Sequence, residues 1–364
     1  MEHTITRLLI ANRGEIAIRT ARAAAELGIE SLAVYTGDDA ESLHRYSTDH
    51  SIELSGRASE GYMDQQQILR IARDHRCDAI HPGYGFLSEN PDFARHCEQA
   101  GLIFVGPRSQ VLEVFGDKAL SRELAQRCEV PLVPGTGLLE SVDAAQAFMG
   151  SLPEGSPIMI KAVAGGGGRG MRPAHSPDAL NEAFQHARAE ASAAFGNDAV
   201  YAEELLTEAR HIEIQVLGDG SGAVTHLWER DCSLQRQRQK LIEIAPAPAL
   251  SDSVRTKMID AALTMAREVR YRGVGTFEFL VDAQDPDRFF FMECTPRIQV
   301  EHTITEEITG VDLLATQLEL ASGATLSSLG LTEPARPRGF AIQSRVYLET
   351  LEEHGHARPA SGTI

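Results

Sequence analysis

The chain reads as an α/β protein, mixed α/β and α+β, built on a parallel sheet at its N-terminal end. Three observations predict this. Apolar runs alternate with helical patterns through residues 1–116, as a parallel sheet with crossover helices requires. A glycine run, Gly165-Gly166-Gly167-Gly168, sits between two strand-like segments. Later strands carry Glu278 and Glu293 inside otherwise apolar, aromatic runs. The composition agrees: 43% hydrophobic and 24% charged, with aromatics only 6%, so aliphatic side chains must fill most of the core. A length of 364 residues allows two or three domains at about 150 residues each.

The elements follow in order. Leu8–Ala11 reads as a strand and Glu15–Leu27 as a helix that Gly28 stops, because a C-terminal cap takes the left-handed conformation. Leu32–Tyr35 is a second strand, Gln65–His75 a helix and Ala79–His81 a third strand. Asn90-Pro91 supplies a capping side chain and then a proline at the first helical position. That helix ends at Gly101, and Leu102–Val105 follows as a strand. Ligands on such sheets sit beyond the carboxyl ends of the strands. The loops Asn12-Arg13-Gly14-Glu15 and His81–Asn90 are therefore the first places to look for function. Glycines in the second loop read equally well as a tight turn or as a close approach to a ligand.

Asp117 caps a helix Lys118–Arg127; taken alone, Lys118 reads as a solvated first-turn lysine. Pro157–Val163 is an apolar strand interrupted by Lys161, and the loop Ala164–Met171 follows with Arg169 inside it. Backbone N–H groups beside cations suit a phosphate, so a phosphate-covering loop is favoured over a linker. No Lys-Ser or Lys-Thr follows the glycines, which excludes the GxxxxGK[ST] loop.

His211, Glu213 and Gln215 alternate with Ile212, Ile214 and Val216, as on a half-buried strand with a polar face. Asp219-Gly220 is a turn, so Ala223–Trp228 should pair back as a hairpin. Arg230, Arg236, Arg238 and Lys240 then form a basic run. Its readings are a solvated face or an anion site. Cys232 within it reads as a packed residue rather than a nucleophile. Val274–Asp282 places Thr276, Glu278 and Leu280 on one face and Phe277 and Phe279 on the other. Arg288–Cys294 groups Phe289, Phe291 and Glu293. A six-residue connection opposes Glu278 to Glu293 and a five-residue connection separates them, so the register stays open. Opposed carboxylates repel, and a divalent cation removes that penalty. Arg297, Gln299 and Glu301 then project from one side of an extended segment, an arrangement suited to a reaction centre.

The charge balance is 34 Lys+Arg against 52 Asp+Glu, a net of -18. Such an acidic surface disfavours nucleic acid as a partner. No apolar run is long enough to span a membrane, and the N-terminus has no signal-peptide layout. Five cysteines without a CxxC pair fit a reduced, cytoplasmic chain.

In this order these segments resemble the biotin carboxylase component of biotin-dependent carboxylases, an ATP-grasp enzyme. The resemblance runs from Leu8 to Ile364. It is carried by Ala11–Ala17, His81–Asn90, Gly116-Asp117-Lys118, Lys161 with the glycine loop, Arg210–Gln215, Glu229–Lys240, Gly275–Phe279, and Arg297–His302 with Thr305-Glu306. It implies a Rossmann-like domain over 1–116, a linker helix over 117–132, a glycine-loop lid over 133–205 and a larger mixed domain over 206–364, incomplete at its end. It implies that bicarbonate and MgATP (or the Mn²⁺ complex) form carboxyphosphate, which carboxylates biotin on a carrier domain. A carboxyltransferase domain or subunit would be the further partner. Lys118, Lys161, Gly166, Gly167, Glu203, Leu206, His211, Arg238, Glu278 and Glu293 would contact ATP, with Leu206 at the adenine. Glu278, Glu293 and Thr295 would hold metal. Lys240, Arg297, Gln299 and Val300 would hold bicarbonate, and Glu301 would be the general base. Tyr84 and Arg297 would contact biotin, Arg297 also stabilising its enolate.

Thr295 stands where the family usually has Asn, and Arg238 where it often has His or Asn. The resemblance expects the chain to belong to a longer polypeptide, with another arginine and the closing strands of the last domain beyond Ile364, and hence impaired activity by the chain alone. Another ATP-grasp ligase and a nucleotide-binding regulatory module are the alternatives. Acetyl-, propionyl- or longer acyl-CoA, pyruvate and urea are all final acceptors served by similar domains.

Overall fold

The computed structural model describes residues 4–163, 170–237, 239–351 and 357–360. They divide into two compact units. The first comprises Met1–Cys128, His211–Phe279 and Glu293–Ile364, and the second Glu129–Arg210 with Leu280–Met292.

The first unit begins with a parallel sheet of β1 (Arg7–Ile10), β2 (Glu30–Tyr35), β3 (His50–Glu53), β4 (Ala79–His81) and β5 (Ile103–Phe104), ordered β3-β2-β1-β4-β5. Alternation along β1 serves both faces. Leu8 and Ile10 pack with Ile16 and Ala17 of the helix Gly14–Glu26, whereas Leu9 packs with Leu32, Ile68 and Phe93 on the other side. Each such side chain, taken fully out of water, contributes roughly 1.5–3 kcal/mol. β3 was not expected from the sequence. It is a partly exposed edge strand of four residues, His-Ser-Ile-Glu, paired only with β2, and an edge carries no apolar alternation to betray it. The caps are as the sequence suggests. Asn90 Oδ1 accepts from Phe93 N at 2.8 Å, and Asp117 Oδ1 accepts from Ala119 N at 2.8 Å.

In the second unit β6 (Ile158–Ala162), β7 (Met171–Ala174) and β8 (Val200–Glu204) form an antiparallel sheet ordered β7-β6-β8. The helix Pro177–Phe195 covers it through Leu180, Phe184 and Ala187, which pack on Ile158 and Ile160. Ala164, the glycines Gly165–Gly168 and Arg169 lie outside the described residues.

The larger sheet contains β9 (Ala209–Asp219), β10 (Val224–Arg236), β11 (Gln239–Ala245), β12 (Arg272–Asp282), β13 (Phe289–Thr295) and β14 (Ala341–Ser344), ordered β13-β12-β9-β10-β11-β14. Of the described members of the basic run, Arg230 and Arg236 lie on β10 and Lys240 on β11, with Gln235 opposite Lys240; Arg230 is fully buried, and Arg236 and Lys240 are half-buried. β9 also differs from its sequence reading. Its polar face is buried, with Glu213 at 0% and Gln215 at 1% exposure, because cations from β10 and β11 meet it there. Among the described residues no helix is long and apolar enough to cross a membrane.

Candidate active site

The polar faces of β9, β10 and β12 meet inside the first unit around Arg230. This side chain is fully buried, which is tolerated only with its charge and donors matched. Its guanidinium donates to Gln215 Oε1 (2.7 Å), Thr305 Oγ1 (3.0 Å), Thr276 Oγ1 (3.0 Å), Gln299 Oε1 (2.7 Å) and Glu213 Oε2 (3.3 Å). Glu213 in turn receives Lys240 and His211. Burial opposes ionisation of Glu213, but Lys240, His211 and Arg230 hold its carboxyl well below the usual range.

Lys240 projects from β11 into three carboxylates. Its Nζ contacts Glu213, lies 2.8 Å from Glu301 Oε1 and 3.8 Å from Glu278 Oε2. Burial works against the ammonium, yet these acids raise its pKa far above the ordinary value. His211 Nε2 lies 2.8 Å from Glu278 Oε2 and 3.2 Å from Glu213 Oε1. Burial again opposes the charge, and the two carboxylates nevertheless raise the imidazole to about 9.

Glu278 is buried on β12. Its Oε1 accepts from Thr295 Oγ1 at 2.8 Å and from Gln299 Nε2 at 2.9 Å. Glu293 enters from β13 with an exposed side chain. Partial desolvation by the protein around it, and then the charge of Glu278, push its carboxyl up, while Lys118 at the start of its helix pulls the other way.

Glu301 ends the extended segment after β13 at the N-cap position of the helix His302–Thr309, with its side chain turned to other partners rather than to a cap bond. It is 2% exposed. Lys240 Nζ stands 2.8 Å from Oε1, and Arg345 Nη2 donates to Oε2 at 2.8 Å. Arg345 is fixed by its own backbone N–H to Leu241 O (2.8 Å), and Tyr347 Oη donates to Lys240 O two residues on. The sequence reading placed a further arginine past Ile364 and passed over Arg345, which already puts a guanidinium on the candidate base. Arg230, Glu213 and Gln215 were likewise absent from the predicted site. Their signal was the pairing of a polar strand face with a basic run on the next strand.

The remaining candidates fall as follows. Arg297 donates through Nε to Glu89 Oε1 at 2.6 Å and through Nη1 to Ile298 O at 3.0 Å. Glu89 comes from the loop His81–Asn90. That loop is tied to the first one by Asn12, whose Nδ2 donates to Pro82 O (2.7 Å) and Tyr84 O (2.8 Å). Gly83 has φ +64, and a Cβ there would meet Asn12 at 2.7 Å, so glycine is required on both counts. A cavity of ≈ 390 Å³ opens beside these loops, lined by Arg13, Glu15, Asp39 and Tyr84 among others. This is where the strand order reverses between β1 and β4. Tyr84 donates to Glu15, and burial together with that carboxylate raises its pKa. Val300 is half-buried in the turn before Glu301. In the second unit, Lys161 on β6 pairs with Glu203 on β8, and Leu206 follows β8 half-buried. Gly166, Gly167 and Arg238 lie outside the described residues.

Comparison with known proteins places the chain among relatives. The family model "Biotin carboxylase, N-terminal domain" matches residues 4–112, and "Carbamoyl-phosphate synthase L chain, ATP binding domain" matches residues 117–329. Pyruvate carboxylase of Aspergillus niger is 50% identical over 349 residues, 94% of this chain and 29% of its own length. That of Bacillus subtilis is 48% identical over 355 residues, 96% of this chain and 30% of its own length. The chain thus spans about 30% of these curated relatives. Among solved structures, the biotin carboxylase domain of a single-chain bacterial carboxylase is 49% identical with a TM-score of 0.83, covering 95% of this chain and 76% of that one. Biotin carboxylase of Campylobacter jejuni, solved as a β-γ-ATP complex, is 39% identical with a TM-score of 0.88, covering 96% and 78%. The biotin carboxylase domain of Hydrogenobacter thermophilus 2-oxoglutarate carboxylase, solved with MgADP and bicarbonate, is 40% identical with a TM-score of 0.86, covering 95% and 75%.

Proposed function

The chain belongs to the biotin carboxylase family, and from that premise we propose that it performs the ATP-dependent half-reaction: MgATP and bicarbonate give carboxyphosphate and ADP, and the carboxyl group passes to biotin. The observation that carries this reading is Glu301. A buried carboxylate held 2.8 Å from both Lys240 and Arg345 is a fixed proton acceptor inside a cationic site. Bicarbonate binding beside Lys240 and Arg297 brings its hydroxyl proton to a placed base, while the cations stabilise the dianion left behind. Gln299 and Val300, which lie between Arg297 and Glu301 in the sequence, would complete the bicarbonate site. Arg297 would release Glu89 to take the substrate anion and, later, the biotin enolate beside Tyr84.

Lys118, Lys161, Gly166, Gly167, Glu203, His211 and Arg238 would serve the nucleotide, with Leu206 at the adenine and the lid drawn at 133–205. The residues present fit a divalent cation. Desolvation first, and then the charge of Glu278, raise the Glu293 carboxyl, and a cation between the two would remove that penalty. Mg²⁺ or Mn²⁺ there would neutralise phosphate charge during transfer. Thr295 spends its proton on Glu278, leaving its oxygen for the ion directly or through water. A carrier domain and a carboxyltransferase would complete the reaction, since the chain spans only about 30% of its pyruvate carboxylase relatives. A cytoplasmic location is part of this reading, supported by five free cysteines.

The test is bicarbonate-dependent ATP cleavage with and without free biotin. Glu301→Gln should lower its rate about 10²–10⁴-fold and leave ADP binding intact. A Glu301→Gln protein with unchanged turnover would overturn the assignment.

A further inference from the structure

Arg345 serves two carboxylates with one edge of its guanidinium. Nε donates to Glu243 Oε1 at 2.6 Å and Nη2 to Glu301 Oε2 at 2.8 Å. A guanidinium fork matches both oxygens of a single carboxylate. Here the fork is split, and the cost falls on Glu243. Its side chain is fully buried on β11, and among the described residues its Oε2 has no hydrogen-bond partner. A buried, unpaired carboxylate oxygen is expensive, so its persistence asks for a reason. The backbone explains why the arrangement does not relax. Glu243 is locked opposite Gln343 in the β11–β14 ladder, and Arg345 N donates to Leu241 O at 2.8 Å.

We infer that Glu243 is a positioning residue that competes with Glu301 for Arg345. This rests on the reading of Glu301 as the base. With Glu301 ionised, Nη2 stays on it and Oε2 of Glu243 goes without. When Glu301 takes the bicarbonate proton, the O–H bond of bicarbonate breaks, its electron pair stays on the departing oxygen, and a new O–H bond forms on Glu301. The neutral carboxyl then holds Nη2 less strongly, and the fork can close on both oxygens of Glu243. Arg345 thereby leaves the base when the base has done its work. Glu243 also puts a second carboxylate on the guanidinium that Glu301 uses, so removing its charge leaves Arg345 to Glu301 alone. Among the described residues, the charged and titratable groups facing Glu301 are Glu213 from β9, Arg230 and Cys232 from β10, Lys240 and Glu243 from β11, and Arg345; those facing Glu243 are Arg345, Lys240 and Glu301. Burial and then the charge of Glu301 raise the Glu243 carboxyl, against the pull of Arg345.

The test is the pH profile of bicarbonate-dependent ATP cleavage by the intact protein that carries this chain, in Glu243→Gln, Arg345→Lys, the double variant and Glu301→Gln. Glu243→Gln keeps the shape and removes the charge. Its acid limb should move about 0.5–1 pH unit lower, with kcat down roughly fivefold to tenfold as the base weakens, while KM for ATP stays within about twofold. Arg345→Lys lacks the fork, so adding Glu243→Gln to it should move the limb little further. A limb unmoved in Glu243→Gln, or strictly additive effects in the double variant, would overturn the role of Glu243. An acid limb that survives in Glu301→Gln would instead overturn the base assignment beneath it. If Glu243→Gln does not fold, as judged by circular dichroism and ADP binding, Arg345→Lys alone decides: a wild-type limb and kcat there rule the competition out.

Discussion

Two lysines, one in each unit, make opposite uses of the same kind of partner. Lys240 sits among Glu213, Glu278 and Glu301, its side chain 15% exposed and the three acids at 5% or less. Lys161 meets Glu203 on a three-stranded sheet and keeps 26% of its side chain in water. The first is held in place before any anion arrives. The second is held by a carboxylate on the next strand and is separated from the glycine run by three residues; under the proposed function a phosphate would compete for it. An anion site can thus be built ready-made by buried acids, at the risk of a large penalty if one charge is lost, or left to be completed by the ligand.

The largest expected effect probes that penalty. Arg230→Met removes the buried cation that Glu213, Gln215, Thr276, Gln299 and Thr305 share, and should cost about 3–5 kcal/mol because Glu213 loses one of its three cations and four buried neutral acceptors lose their donor. Lys161→Met should cost about 1–2 kcal/mol, since part of that charge is already solvated. Urea unfolding of both variants checks this, and equal losses would break the comparison.

Acid sharpens it next. His81, His226 and His302 of the first unit are all lowered to about 4 by burial. A histidine kept neutral in the fold binds its proton more readily when unfolded. Stability is therefore complete above pH 6.5 and falls as the pH drops towards 4. At pH 5.5 each should cost about 1 kcal/mol. Hydrogen exchange at pH 7.5 and 5.5 should show the first unit losing protection; an unchanged pattern would mean that these imidazoles are not shielded.

The smallest effect concerns the metal. Thr295→Asn replaces a short hydroxyl by a carbonyl that reaches farther, and should lower the Mg²⁺ concentration for half-maximal ATP cleavage by about twofold to tenfold. An unchanged concentration would remove Thr295 from the metal and return its role to the bond with Glu278.

Much of this was legible in the sequence, for identifiable reasons. Asn90-Pro91 and Asp117 announce helix starts because a cap acts within three residues. Leu8–Ala11 and Ala79–His81 announce strands because both faces of a parallel sheet are covered. The buried polar network was not legible. Glu213 and Gln215 alternate with isoleucine and valine as residues on a wetted strand face do, and periodicity cannot distinguish water from Arg230 as the partner. Arg345 lies in a stretch where exposed and half-buried residues alternate, so nothing local separates it from a surface arginine. Its meaning comes from Leu241, Glu243 and Glu301, distant in sequence.

The network around Arg230 has a consequence for how this protein can vary. Its acceptors come from β9, β12, the segment after β13 and the helix His302–Thr309, four stretches spread over ninety-odd positions of chain. One guanidinium therefore makes them answerable to a single count of protons and lone pairs. Gln215, Thr276 and Thr305 bear no charge, and in isolation each would be freely exchangeable. Tied to Arg230 they become as constrained as Glu213, able to change together but not one at a time.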